Sequence, residues 1–351
     1  MAAFTTIDAP SAHFKVQLYT GNGSANHAIT FDDTDTDMQP DFVWIKNTEA
    51  LAGDSHCLFD ALRGATEVIH SDTTAAEATD ADTLDSFASD GFQVDADVKV
   101  NTNTEDYVAW CWKANGTGSS NTSGTINTTA TSANTTAGFS IITYTGNGTA
   151  GATIGHGLGA VPDLIIPKTL SHTGSWPVFH TSHGETKFLE LNNNGAVQTG
   201  TTRWNDTAPT STLISLGTTN NVNGDSRTYV AYVWTDIQGF SKFGSYVGNG
   251  NDEGPFVYTG FRPAFLMRKT AGEDYWHIVD NKRLGYNPRQ AYAVPNDTVL
   301  NDALTRVDLL SNGFKVRDDD SADNTSGTTY IYAAFAHSPF VNSNGVPCNA
   351  R

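Results

Sequence analysis

FKVQLYTGNG, residues 14 to 23, returns as FSIITYTGNG at 139 to 148 and as FSKFGSYVGNG at 240 to 250. Each copy is a β-branched and aromatic run ending in Gly-Asn-Gly, so the same strand opens three units. Working outward, a second run follows each opening: PDFVWIK (40 to 46), PDLIIPK (162 to 168) and PAFLMRK (263 to 269). Its proline and lysine stand six residues apart every time. A third block reads HCLFD (56 to 60), WPVFH (176 to 180) and WHIVD (276 to 280), and a fourth closes each unit as YVAWCW (107 to 112), YVAYVW (229 to 234) and YIYAAF (330 to 335). Phe92, Ile214 and Phe314 mark one further shared strand.

The closing tyrosines 107, 229 and 330 recur at the spacing of whole domains rather than of solenoid repeats. The expected organisation is three tandem antiparallel β-sandwich, jelly-roll-like domains with little helix: residues 1–117, 139–238, and 239–351 with a C-terminal tail. Residues 118–138, all Gly, Ser, Thr, Asn and Ala apart from Ile126, read as a flexible linker or long surface loop. The interval from Trp234 to Phe240 leaves little slack, which predicts a rigid join between the second and third units. Each unit should hold six to eight strands and fold as a separate bead. The Asn-Gly pairs at 22–23, 147–148 and 249–250 read as tight hairpin turns. The continuous apolar second block reads as a central strand covered on both faces, with Pro167 marking a bulge or an edge.

Composition bounds the function. The 351 residues carry 20 Lys plus Arg against 38 Asp plus Glu, a net charge of −18, which repels a phosphate backbone and sets nucleic-acid binding aside. Hydrophobic residues at 38% are too many for a disordered acidic chain. No apolar run is long enough to span a membrane, and the start Met1-Ala-Ala-Phe-Thr-Thr has no basic, apolar leader, so a soluble protein folding in the cytoplasm is expected. Cys57, Cys111 and Cys348 form neither a disulfide framework nor a zinc motif and read as inert thiols.

No phosphate loop, zinc helix, nucleophile elbow or dinucleotide fingerprint occurs. His180-x-x-His183 has a metal-ligand spacing, but His180 stands where the sister units carry Asp60 and Asp280, so a strand-end role explains it without a metal. The acidic runs Asp32 to Asp37 and Asp318-Asp319-Asp320 offer the hard oxygens that calcium prefers, set against the plainer reading of solvated loops. Most tryptophans recur at block positions and read as core. Trp204, within the polar stretch Thr201-Thr-Arg-Trp-Asn-Asp206, is the candidate for a surface ligand contact.

Taken together, the Tyr-Thr-Gly-Asn-Gly opening, Pro40 to Lys46, the Ser89-Asp-Gly-Phe92 turn and Tyr107 to Lys113 resemble an uncharacterised domain that recurs in virion proteins of tailed, especially marine, bacteriophages. Tyr330 to Phe340 is similar to the end of such a unit in phage tail and fibre proteins. The resemblance implies a virion component assembled in the host cytoplasm, a tail fibre, tail tip or adhesion protein that binds the host surface. Its expected partners are other virion proteins and a host cell-surface glycan or protein, and a homo-oligomer is the expected assembly. No catalytic residue or cofactor is expected beyond calcium on the acidic loops. Capsid decoration and a carbohydrate-binding or glycan-degrading module are the alternatives. Three diverged repeats without a unit-specific catalytic motif favour binding over turnover.

Overall fold

In the computed structural model, residues 4–49, 53–283, 287–298 and 303–348 are described; the outermost ends of the first and third units lie outside them. The architecture is all-β, in antiparallel sheets, with only short helical turns such as Val98–Asn101 and Thr201–Trp204. One strand order recurs three times. The opening strand lies beside the closing strand, which lies beside the second-block strand and then the third-block strand. In unit 1 these are Phe14–Thr20, Asp106–Trp112, Phe42–Asn47 and Cys57–Asp60; in unit 2, Phe139–Thr145, Thr228–Trp234, Leu164–Thr169 and Pro177–His180. In unit 3 they are Ser241–Val247, Thr329–Pro339, Phe261–Thr270 and His277–Asp280. A smaller sheet accompanies each large one, led by His27–Thr30, Ala152–Gly155 and Phe256–Tyr258 respectively.

The closing strand explains how the sheets pack, because side chains alternate between faces. In unit 1, Tyr107, Ala109 and Cys111 face the small sheet in a core with Ile29 and Phe92. In unit 2, Tyr229, Ala231 and Val233 do the same with Ile154 and Ile214. The opposite faces, Val108, Trp110 and Trp112 with Val230, Tyr232 and Trp234, belong to one core shared with unit 3. Trp112, Trp234 and Phe335, equivalent residues of the three closing strands, meet there with ring centroids 5.4 to 6.4 Å apart. The large sheets therefore bury two apolar faces each, and the expectation of separate beads is corrected: the three units share their largest core.

Two further expectations change. Gly-Asn-Gly carries the chain from the large sheet to the small one, so it is a corner rather than a hairpin turn. A Cβ on Gly21 would lie 2.1 Å from the Thr102 carbonyl oxygen, and Gly23 has φ +64°, so both glycines are required. Asn101, Asn223 and Asn324 hold the three corners. Each buried amide accepts the backbone N–H of the corner asparagine (Asn22, Asn147 or Asn249) at 2.8 to 2.9 Å and donates back to the corner loop. The closing tyrosines brace the same segments: Tyr107, Tyr229 and Tyr330 donate to the carbonyls of Val98, Asn220 and Ser321.

The second change concerns 118–138. Ala130–Asn134 within it is a strand that pairs antiparallel with Phe139–Thr145, and Ile126 is buried in the unit 2 core. The segment is the ordered edge of unit 2, not a flexible linker. Uncharged β-branched and small residues suit an added edge strand as well as they suit a loop. At the other junction, Ile237 bridges Ser241 and Asp236 accepts the Phe243 amide at 2.7 Å, a tight turn. Pro167 pairs with Ala231 on one side only: the ladder to the third-block strand stops at Ile165, two pairs against four in each sister unit, so the proline marks where that pairing ends.

Candidate functional site

The residues that could carry chemistry are placed mainly at the joins between units. Asp60 ends the third strand of unit 1 and accepts from the Tyr232 hydroxyl of unit 2 at 2.8 Å while pairing with Arg63. Asp280, its equivalent, accepts from the Trp110 indole of unit 1 at 3.2 Å and pairs with Arg283. The facing residue in unit 3 is Ala333, which has no donor to offer an acid. His180 stands there instead and bonds the Tyr332 carbonyl through Nε2 at 3.1 Å. Its Nδ1 accepts the Ser182 amide. Both imidazole nitrogens are thus occupied, which fits the strand-end reading. Burial pushes His180 and His183 down to about 4, so both are neutral at pH 7.

The joins run head to tail around a ring. His56, Trp176 and Trp276 begin the three third blocks, and they donate to Val294 of unit 3, Thr73 of unit 1 and Glu190 of unit 2. The second-block lysines sit beside them. Lys46 donates to the carbonyls of Asp54 and Thr298, and Lys168 to those of Thr74 and Gly174. Burial lowers Lys168 and Lys269 to about 8. The second-block acids have a local role: Asp41 receives the amides of Ala114 and Gly116 just past the closing strand.

Trp204 is 1% exposed, stands edge-on to Phe179 in the unit 2 core and donates to the Lys187 carbonyl at 3.1 Å. The surface contact expected of it is corrected: a helical turn, Thr201–Trp204, turns the indole inward from an otherwise polar stretch. Asp318 and Asp320 both pair with Arg306, at 3.3 and 3.0 Å, whereas Asp319 is exposed. Arg306 continues to buried Asp323, which pairs with Arg268 at 3.0 Å and His277 at 3.4 Å. Burial and the neighbouring Asp323 raise Asp318. Against the desolvation of its own burial, Arg268 and His277 hold Asp323 well below the usual carboxylate range. An arginine thus occupies the acidic run proposed for calcium, and among the described residues no group of three or more His, Cys, Asp or Glu is placed to hold a metal. In the other acidic run, Asp32 bonds Lys282 of unit 3 at 2.8 Å.

Among the described residues several clefts are open to a partner; the one with exposed aromatic walls, about 370 Å³, lies in unit 3 between the opening strand of the large sheet and the first strand of the small sheet. Ser241 and Lys242 form one wall, Tyr258 to Gly260 the other, and Phe4 and Phe340 line it further. Tyr258 is 60% and Phe4 50% exposed. Sequence reasoning missed this site, because Pro255-Phe-Val-Tyr258 reads as one more core strand.

No curated protein and no solved structure matches the chain. A family model described as a domain of unknown function, DUF7483, matches residues 9–339 and so spans all three units as a single entity. The chain belongs to that family.

Proposed function

We propose that this chain is a structural component of a bacteriophage particle: a short tail fibre, tail tip or adhesion knob exposed on the virion and contacting the host surface. The observation that supports this reading best is the use made of its reactive side chains. Asp60, Asp280, His56 and His180 tie one unit to the next, while exposed Tyr258 of unit 3 and Phe4 line an open cleft. Such a ring offers a rigid surface and loop ends for contact rather than a reaction centre. Its partners are other virion proteins and a host cell-surface glycan or protein, and a charge of −18 opposes nucleic acid.

The test is antibody labelling of whole particles by electron microscopy, run beside binding of purified protein to host cells and reducing-end release from host glycans. Label on the tail, with cell binding and no sugar release, is the expected outcome. Tight binding to capsid protein without cell binding would move the chain to the head as a decoration. Turnover abolished by one Asp or Glu substitution would make it a glycan-degrading enzyme, and unlabelled particles would remove it from the virion.

A further inference from the structure

Each sandwich leaves one side framed by two edge strands, the opening strand of the large sheet and the first strand of the small sheet, and the three units treat that side differently. In unit 2 the segment 119–134 closes both edges. Ala130–Asn134 pairs with the opening strand, Thr129 N–H donates to the Thr143 carbonyl at 2.7 Å, and Ile126 N–H donates to Thr153 of the small sheet at 2.9 Å. In unit 1, Leu18 takes the place of Thr143, and the Gln17 amide caps its carbonyl at 2.7 Å. In unit 3 the equivalent residue is Ser245. Asp236 caps the preceding outward amide, that of Phe243, but among the described residues the outward-facing backbone groups of Ser245 and Val247 have no partner.

Large apolar side chains flank this bare edge. Val247 is 57% exposed and Phe256 48%, next to Tyr258 in the cleft. The matching unit 2 residues, Thr153 and Gly155, are small and lie beneath the covering segment; a Cβ on Gly155 would come 2.2 Å from Asn121 Oδ1. An unprotected edge of alternating N–H and C=O groups is a template for a further strand.

We infer that the open side of unit 3 is an acceptor for an extended, uncharged strand of another polypeptide, which pairs antiparallel with Gly244–Val247 and lies over Phe256 and Tyr258. Unit 2 supplies the precedent for the occupant: residues 115–138 contain no charged side chain and, in the covering segment 119–134, one large buried aliphatic anchor, Ile126. Charge points to a different chain, since a second copy would bring −18 against −18, whereas an uncharged strand meets no repulsion. The inference concerns this edge alone and holds for a tail or a head component, so its failure leaves the particle assignment standing.

The experiment uses the intact protein and a synthetic peptide of residues 119–134 as a strand probe, with a scrambled peptide as control. Binding is followed by fluorescence polarisation and by amide hydrogen exchange. The expected result is slowed exchange at Ser245 and Val247, binding lost in Ser245→Pro and in Val247→Lys, and binding weakened several-fold in Tyr258→Ser. Val247→Lys alters an exposed position and keeps the test valid should the proline variant fail to fold. Absence of protection at millimolar peptide, or equal protection in both edge variants, would overturn the inference. Self-association abolished by Val247→Lys would assign the edge to a second copy instead. Displacement of the peptide by a host oligosaccharide would make the cleft a sugar site.

Discussion

Units 1 and 3 build the same sandwich around opposite chemistry at one core position. Ile45 of the second-block strand faces Ala109, and Val100 lies in the same apolar core. In unit 3 the corresponding residues are Arg268, facing Tyr332, and Asp323, joined as a buried ion pair. The surrounding frame does not change. Tyr19 stacks on Tyr107 and Tyr246 on Tyr330 with centroids 5.1 Å apart in both units, and Tyr19 and Tyr246 donate to the carbonyls of Val100 and Asp323. The fold is therefore specified by the corner, a stacked tyrosine pair and a buried asparagine, and tolerates either filling. What the ion pair adds is a charged path through Arg306 to Asp318 and Asp320 at the surface.

The sharpest way to break this comparison is to remove half of the pair. Asp323→Val should cost about 3 to 5 kcal/mol in urea unfolding, because Arg268 then stays buried with an uncompensated charge. Arg268→Ile combined with Asp323→Val copies unit 1 and should recover most of that loss, since apolar replacements of buried pairs are often neutral or stabilising. Equal destabilisation by the single and double variants would show that the two sites are not coupled.

The shared core comes next. Trp112→Ala should cost about 3 to 5 kcal/mol and shift one calorimetric transition that includes all three units. Trp112→Phe copies Phe335 of unit 3 and removes an indole N–H without a partner, so it should cost less than about 1.5 kcal/mol. Three separate melting transitions, only one of them moved by Trp112→Ala, would restore the picture of independent beads.

The join at His180 sharpens the contrast with Asp60 through pH. Burial holds the folded imidazole at about 4, below its ordinary 6.5, so between those values the unfolded chain binds the proton more readily. Stability is full above pH 6.5 and falls as pH drops toward 4, by on the order of 3 kcal/mol for this group. His56 is shifted in the same direction by its burial and adds to the slope. His180→Gln should flatten the stability profile in that window; an unchanged slope would place the acid sensitivity elsewhere.

Much of this organisation is legible in the residues. Block order gives the strand order, and the continuous apolar runs of the second block, Phe42 to Ile45 and Ala264 to Met267, announce strands covered on both sides. Their spacing does not say what covers the second face, and that face turned out to meet neighbouring units. Trp204 looked exposed because its sequence neighbours are polar, whereas burial depends on where a helical turn points the ring. Asp318 and Asp320 look like free oxygens until strand pairing brings Arg306, from the preceding strand, between them. One signal was present and went unread: Asn101, Asn223 and Asn324 each stand six residues before the closing tyrosine, so a repeated buried amide beside each Gly-Asn-Gly could have been inferred.

The smallest expected effect tests the contrast between the covered edge of unit 2 and the bare edge of unit 3. Ile126 fixes the covering segment, yet at 8% exposure it lies at the rim of its core. Ile126→Ala should therefore cost about 1 to 2 kcal/mol, less than a fully enclosed aliphatic side chain. Its local consequence is larger than its global one. The segment would lose its only large apolar contact while keeping the Ala130–Asn134 pairing, so limited proteolysis should move to residues 119–128 and spare 130–134. In the parent the same segment should resist cleavage, because its amides are paired on both edges. Rapid cutting there in the unaltered protein would show that unit 2 is as open as unit 3, and would remove the precedent on which the strand-acceptor edge rests.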